Sequence, residues 1–127
     1  MQSGYATAEG TASFTERYEA IDYHALGSTG LRCSPAGFGG YRIAAGIDDH
    51  ETSLRFALQN GINLIDTSSN YADGDSERLI GEVLEALMQS GELRRDQVIV
   101  VSKGGYLQGS NYLASECVRR QPDVALG

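Results

Sequence analysis

Three residues of this chain have the types and the spacing to move a proton: Asp66, Tyr71 and Lys103. Asp66 closes a short apolar run of Ile62, Leu64 and Ile65, and Tyr71 lies in the small polar loop after it. Lys103 comes just after an unbroken β-branched run, Val98-Ile99-Val100-Val101. If those runs are adjacent parallel strands, they lie about 4.8 Å apart. Their C-terminal ends then share one rim, where the active sites of α/β proteins collect, and Asp66 can pair with Lys103. An ammonium beside a phenol favours the ionised phenol. Tyr71 is therefore a candidate general acid, giving a proton to a carbonyl oxygen as a hydride arrives. Each residue also has an ordinary reading: an Asp at a strand end often caps the next element, a loop Tyr is usually a surface aromatic, and a lone Lys is usually solvated. Side-chain type and spacing alone leave both readings open.

The elements that must position these residues are legible around them. A helix starts near Asp75 and Ser76 and runs to about Ser90. Leu79, Ile80, Val83, Leu84, Ala86 and Leu87 form its apolar face, with Arg78, Glu82, Glu85 and Gln89 opposite. That division suits one face packed on a sheet and one in water. The Val98–Val101 run suits a parallel strand buried on both faces. Upstream, Asp48 with Glu51 makes a capping-box pattern. Leu54, Ala57 and Leu58 recur at helical spacing, and Gly61 is a suitable stop. Phe56 falls off that stripe, and His50, in the first turn, is expected to be exposed and solvated. His24 to Leu26, a Gly27-Ser28-Thr29-Gly30 turn, and Leu31 to Cys33 read as a hairpin. Pro35 ends it, and residues 36–40 read as a further short strand. Gly37, Gly39 and Gly40 do not make a dinucleotide-fold fingerprint, because Arg42 replaces the third glycine and no helix comes at once. Strand, helix, strand, helix, strand at this spacing implies consecutive βαβ crossovers.

The remaining segments carry less. Residues 1–22 are polar, small and aperiodic, and read as a flexible tail. Residues 112–120 have the pattern of a helical turn or two, and nothing after them resembles a fourth strand.

At 127 residues the chain is at most one domain. Hydrophobic content of 41% and charged content of 21% are those of a globular protein. The net charge of -7 disfavours nucleic acid and anionic membrane surfaces as partners. No apolar run approaches the ~20 residues of a membrane span. The N-terminus has neither the basic nor the apolar region of a secretory signal, so a cytoplasmic location is expected. Cys33 and Cys117 are too few for a disulfide framework or a zinc site and read as free thiols; no metal is expected.

Three segments, LGSTGLRCSPAGFGGYRI, GINLIDTSSNYADGDSERLIGEVL and VIVVSKGGY, in this order and spacing, resemble the N-terminal part of the aldo-keto reductase family. The resemblance covers residues from about 24 to 106. It implies a (β/α)8 TIM barrel of the α/β class with an N-terminal hairpin closing its bottom, of which this chain holds the hairpin and about three βα units. It implies NADPH, or NADH, as cofactor, bound without a Rossmann domain. It also implies a small carbonyl or alcohol substrate, a sugar among the candidates. By the same resemblance Asp66, Tyr71 and Lys103 match three members of a catalytic tetrad, with Tyr71 as proton donor tuned by Lys103 and Asp66. Gly40, Tyr41 and Arg42 match the end of the first strand, along the nicotinamide, and Asp66, at the end of the next, is implied as a further cofactor-binding residue.

The sequence also departs from the family pattern. The fourth tetrad member is a histidine after a further strand, and none comes after His50. Residues 107–127 do not read like the usual third helix and fourth strand, and a barrel of this kind takes roughly 250 residues. The expectation is thus residues 23–127 as a truncated copy, a fragment or the first piece of a longer chain. Its function is either NAD(P)H-dependent hydride transfer or that of an inactive remnant or regulatory fragment. An unrelated flavodoxin-like binding domain is disfavoured by the hairpin and by the lack of a phosphate loop. A sheet left open after its third strand also predicts self-association of the isolated chain.

Overall fold

The computed structural model describes residues 4–104. The reading of residues 112–120 as helical, the doubt over 107–127, and Cys117 all lie outside them. The described chain runs α1 (Ala8–Thr15), β1 (His24–Ala25), β2 (Arg32–Cys33), β3 (Phe38–Gly39), α2 (Asp48–Gln59), β4 (Leu64–Asp66), α3 (Asp75–Gln89) and β5 (Ile99–Val101). Single 3-10 turns cover Tyr71–Gly74 and Arg95–Gln97.

Two sheets form. β1 and β2 make the expected antiparallel hairpin, with His24 opposite Cys33 and Ala25 opposite Arg32. β3, β4 and β5 make a parallel sheet in chain order, joined by α2 and α3. Its register aligns Gly39 with Asp66, and Asp66 with Val101. Three strand ends therefore stop at one level. That shared level is what gathers the candidate site.

The helices pack as their periodicity dictates. Leu79, Ile80, Val83, Leu84 and Leu87 of α3 are buried with Leu54 and Leu58 of α2, around Ile65 of β4 and Val98. Burying each such side chain contributes roughly 1.5–3 kcal/mol. Ala86 is half-buried, and Arg78, Glu82, Glu85 and Gln89 face solvent as expected. Gly61, at φ +99, turns the chain out of α2 in the left-handed region that favours glycine.

Below the sheet, Asn63 is fully buried and satisfies three segments at once. Its Oδ1 accepts from Ser34 N–H at 2.9 Å, and its Nδ2 donates to the Arg32 carbonyl at 2.9 Å and the Gln97 carbonyl at 3.3 Å. This amide ties the exit of the hairpin to the bases of β4 and β5.

Three expectations need correction. The segment read as a flexible tail carries α1, capped by Thr7, whose hydroxyl accepts from Gly10 N–H at 2.9 Å. Gly10 lies so close to the Arg95–Gln97 turn that an added Cβ would sit 2.3 Å from the Asp96 carbonyl. Phe14 is fully buried, with its ring 6.4 Å from Tyr23 and 5.1 Å from Tyr18. A helix of Ala, Gly, Thr and Ser with one glutamate and one aromatic shows no apolar stripe, so tertiary contacts rather than propensity hold it.

The second correction is at α2. Its N-cap is Ile47, and no side chain caps the helix. Asp48, Asp49 and Glu51 instead place negative charge in the first turn, beside the positive end of the helix dipole. The third is His50, which is half-buried: its Nδ1 accepts the Ala44 N–H at 3.1 Å. Phe56 points outward and is 66% exposed. No helix among the described residues is long and apolar enough to cross a membrane.

Candidate active site

The sheet register decides which residues meet. Beyond the aligned ends of β3, β4 and β5 the ladder continues one step, with Gly40 N–H donating to the Asp66 carbonyl at 2.7 Å and Thr67 N–H to the Val101 carbonyl at 2.8 Å. Asp66 ends β4 with its carboxylate turned to the open rim. Lys103 reaches across from the end of β5, and its Nζ donates to Asp66 Oδ1 and to the Thr67 carbonyl, both at 2.7 Å. The same Nζ stands 5.2 Å from the centroid of the Tyr71 ring. The Asp66 hydrogen bond, with the negative charge of Asp66 behind it, holds the Lys103 ammonium above the ordinary lysine value of 10.5. Lys103 is therefore a cation throughout the physiological range. The three residues singled out for proton chemistry are together at one rim.

Tyr71 is presented by an unusual loop. Its N–H donates to the Ser68 carbonyl at 3.1 Å, closing a turn over residues 68–71. Ala72 and Asp73 then take left-handed angles, at φ 49 and 53, and Gly74 comes next at φ 98 before α3 begins. Left-handed backbone costs an L-residue roughly 1–2 kcal/mol, and strain of this kind gathers at functional loops.

The end of β3 supplies the opposite wall. Tyr41 is 64% exposed, its ring stands edge-on to Tyr71 at 5.1 Å, and the Arg42 guanidinium lies 5.5 Å from the Tyr41 ring centroid. Tyr41, Arg42, Asn70, Tyr71 and Ala72 line a cleft of about 300 Å³. Gly40 has no room for a side chain, because an added Cβ would come within 2.7 Å of Ser76 Oγ. A Cβ on Gly39 would meet nothing within 4 Å. The rim thus offers bare backbone and an exposed aromatic face beside the phenol. That is a surface a planar, largely apolar ring can lie against, and in this respect the residues present suit a nicotinamide.

Sequence reasoning found Asp66, Tyr71, Lys103, Gly40, Tyr41 and Arg42, but not what fastens them. Ser76 is fully buried and donates to the Gly40 carbonyl at 2.8 Å while sharing a 2.7 Å hydrogen bond with Thr67. One hydroxyl from the start of α3 thereby joins the ends of β3 and β4. Its only sequence signal was a serine at a helix start, which reads as a cap. The run Thr67-Ser68-Ser69-Asn70 was legible as polar and no more. Of the two histidines of the chain, His24 lies in the hairpin and His50, in the first turn of α2, has its Nδ1 occupied by the Ala44 N–H. Among the described residues no group of three or more His, Cys, Asp or Glu could hold a metal ion.

Parallel βα units with a carboxylate, a phenol and an ammonium at the strand ends have the form of part of an α/β barrel, a fold whose active sites collect at that rim. The pattern described as the Aldo/keto reductase family matches residues 37–126, and the chain belongs to that family. It is 35% identical over 111 residues to the L-galactose dehydrogenase of Arabidopsis thaliana, a match covering 84% of this chain and 34% of that protein. It is 37% identical over 89 residues to the aldo-keto reductase YhdN of Bacillus subtilis (strain 168), covering 65% of this chain and 25% of that one. The solved structure of aldo-keto reductase AKR11C1 from Bacillus halodurans (holo form) superposes with a TM-score of 0.59 at 25% identity, over 78% of this chain and 34% of that chain. The chain therefore spans about a quarter to a third of the length of these relatives.

Proposed function

We propose that this chain carries the proton-donating half of an NAD(P)H-dependent oxidoreductase site, which interconverts an aldehyde or ketone and its alcohol. The observation that carries this reading is the Lys103 ammonium, held between Asp66 Oδ1 at 2.7 Å and the face of Tyr71 at 5.2 Å. A dihydronicotinamide, when bound, supplies the hydride. The placement of the chain's own residues supports the following roles. Tyr71 gives its hydroxyl proton to the carbonyl oxygen, which becomes the alcohol. Lys103 offsets the negative charge left on the phenolate, and Asp66 keeps Lys103 charged and aimed. Gly40, Tyr41 and Arg42 form the wall along which the nicotinamide lies. NADPH is the proposed cofactor, with NADH as the alternative. A sugar-like substrate is in keeping with the relative named for L-galactose. His24 in the hairpin and the engagement of His50 Nδ1 by the Ala44 N–H favour a second reading, a chain that binds cofactor without turnover.

The test is a thermal melt with and without NADPH, then turnover of wild type and Tyr71→Phe. A ligand at about 100 times its dissociation constant stabilises its folded binder by about 2.7 kcal/mol. The expected result is an upward shift in both proteins, with reduction of a carbonyl substrate lost only in the variant. An upward shift without turnover in wild type selects the second reading. No shift rejects the cofactor assignment.

A further inference from the structure

Lys103 is two residues past the end of β5. Its ammonium nevertheless has to meet Asp66 and Tyr71 together. The main chain there is fastened by Ser69, whose N–H at 3.1 Å and Oγ at 3.2 Å donate to the Lys103 carbonyl, with Ser68 Oγ 3.2 Å from the same oxygen. Ser68 is only 4% exposed, and its single hydroxyl proton is shared between that carbonyl and Asn70 Oδ1, which accepts it at 2.5 Å. The Ser68 carbonyl accepts the Tyr71 N–H at 3.1 Å. One short run therefore holds the phenol-bearing turn with its main chain and the lysine-bearing segment with its side chains.

We propose that Ser68 and Ser69 are positioning residues: by tying the Lys103 carbonyl to the Tyr71 turn, they keep the Lys103 ammonium in register with both Asp66 and Tyr71. The physical argument is one of freedom. A lysine side chain has four rotatable carbons and loses up to about 2 kcal/mol of rotamer entropy when held. An exposed ion pair in water offsets no more than about 1 kcal/mol of that. The Asp66–Lys103 pair is half exposed, with side-chain exposures of 55% and 47%. It is too weak to set its own geometry, so the backbone that carries Lys103 has to be set by something else. The two hydroxyls, together with the Ser69 N–H, do this. They touch neither the cleft nor the reacting atoms, and they act through Lys103. The inference rests on the reading of Tyr71 and Lys103 as a proton-donor pair.

Lys103 is the only lysine in the chain. A sample carrying 13C only in lysine therefore reports the Cε signal of this one side chain, and its pH titration can be measured in the full protein with far-UV circular dichroism at each point. In wild type the titration is expected above 10.5, as the Asp66 hydrogen bond requires. In Ser68→Ala/Ser69→Ala it is expected to fall toward that ordinary value, because the ammonium is no longer held on Asp66. Ser69→Thr, which keeps the hydroxyl at the more exposed position, is expected to titrate as wild type. A merely structural role would lower the melting temperature of the double variant and leave this titration unmoved. That outcome overturns the proposal. If the double variant does not fold, Ser69→Ala, which keeps its main-chain donor, decides: a smaller displacement in the same direction supports the clamp, and none overturns it. The titration is read without turnover, so the two readings fail separately. A displaced titration in a chain that reduces no carbonyl leaves the clamp standing and rejects the activity. Turnover with an unmoved titration rejects the clamp alone.

Discussion

Gly40→Ala tests whether the hydroxyl junction beneath the rim holds the site together. The new Cβ would lie 2.7 Å from Ser76 Oγ and 3.1 Å from both the Asp66 carbonyl and Thr67 Oγ1. The carbonyl belongs to the sheet ladder and is not free to retreat, so Ser76 has to turn away. In turning it gives up its 2.8 Å bond to the Gly40 carbonyl and its 2.7 Å bond to Thr67. Two hydrogen bonds at about 0.5–1.5 kcal/mol each amount to roughly 1–3 kcal/mol. Thr67 and Ser76 are both buried, so a polar atom left unpaired there costs about 1–3 kcal/mol more. The expected destabilisation is about 2–6 kcal/mol, read from urea denaturation as a midpoint lower by about 1–3 M at a slope near 2 kcal/mol/M. Ser76→Ala removes the same two bonds by another route. The double variant is therefore expected to cost less than the sum of the singles by about 1–3 kcal/mol. A loss below about 1 kcal/mol in Gly40→Ala, or strict additivity with Ser76→Ala, would refute the reasoning.

Two further outcomes come from the backbone and from burial. Ala72→Gly relieves a left-handed alanine at φ 49. The strain is worth about 1–2 kcal/mol and glycine's added chain entropy costs about 0.5–1 kcal/mol, so a net gain near 0.5–1 kcal/mol is expected in the same denaturation assay. A loss of stability would contradict the left-handed turn. Burial, with the neighbouring Tyr18 as a smaller cause, pushes the Tyr23 phenol up from 10.0 to about 12. A raised value means that its contribution is whole below pH 10 and is lost as pH climbs toward 12. At 1.36 kcal/mol per pH unit that contribution is about 2.7 kcal/mol. Tyr23→Phe, though weakened by losing its 2.7 Å bond to the Gly61 carbonyl, should show a flatter alkaline limb. Lys103, also held above its ordinary value, contributes to the shallow loss that remains. Parallel alkaline limbs in wild type and variant would show that Tyr23 is not the group responsible.

How much of this was legible in the chain depends on what kind of signal each feature leaves. Periodicity is local, and it marked both long helices, all three parallel strands and the hairpin within a residue or two. The pairing of Asp66 with Lys103, although 37 residues separate them, was legible for the same reason. Two strand ends joined by one crossover have to be neighbours, so their terminal residues inherit the contact. Tyr71 came with them because a five-residue loop cannot carry it far from Asp66.

What only the tertiary structure decided is of another kind. Phe14 in a stretch of small residues, His50 accepting from Ala44, the edge-on contact of Tyr41 and Tyr71, Ser76 bridging two strands, and Ser68 with Ser69 on the Lys103 carbonyl leave no periodic trace. A serine in a loop has the same propensity whether its hydroxyl meets water or a carbonyl 35 residues away. Its role is set by which partner the packed helices and strands bring within 3 Å, and that partner exists only once the apolar faces have closed.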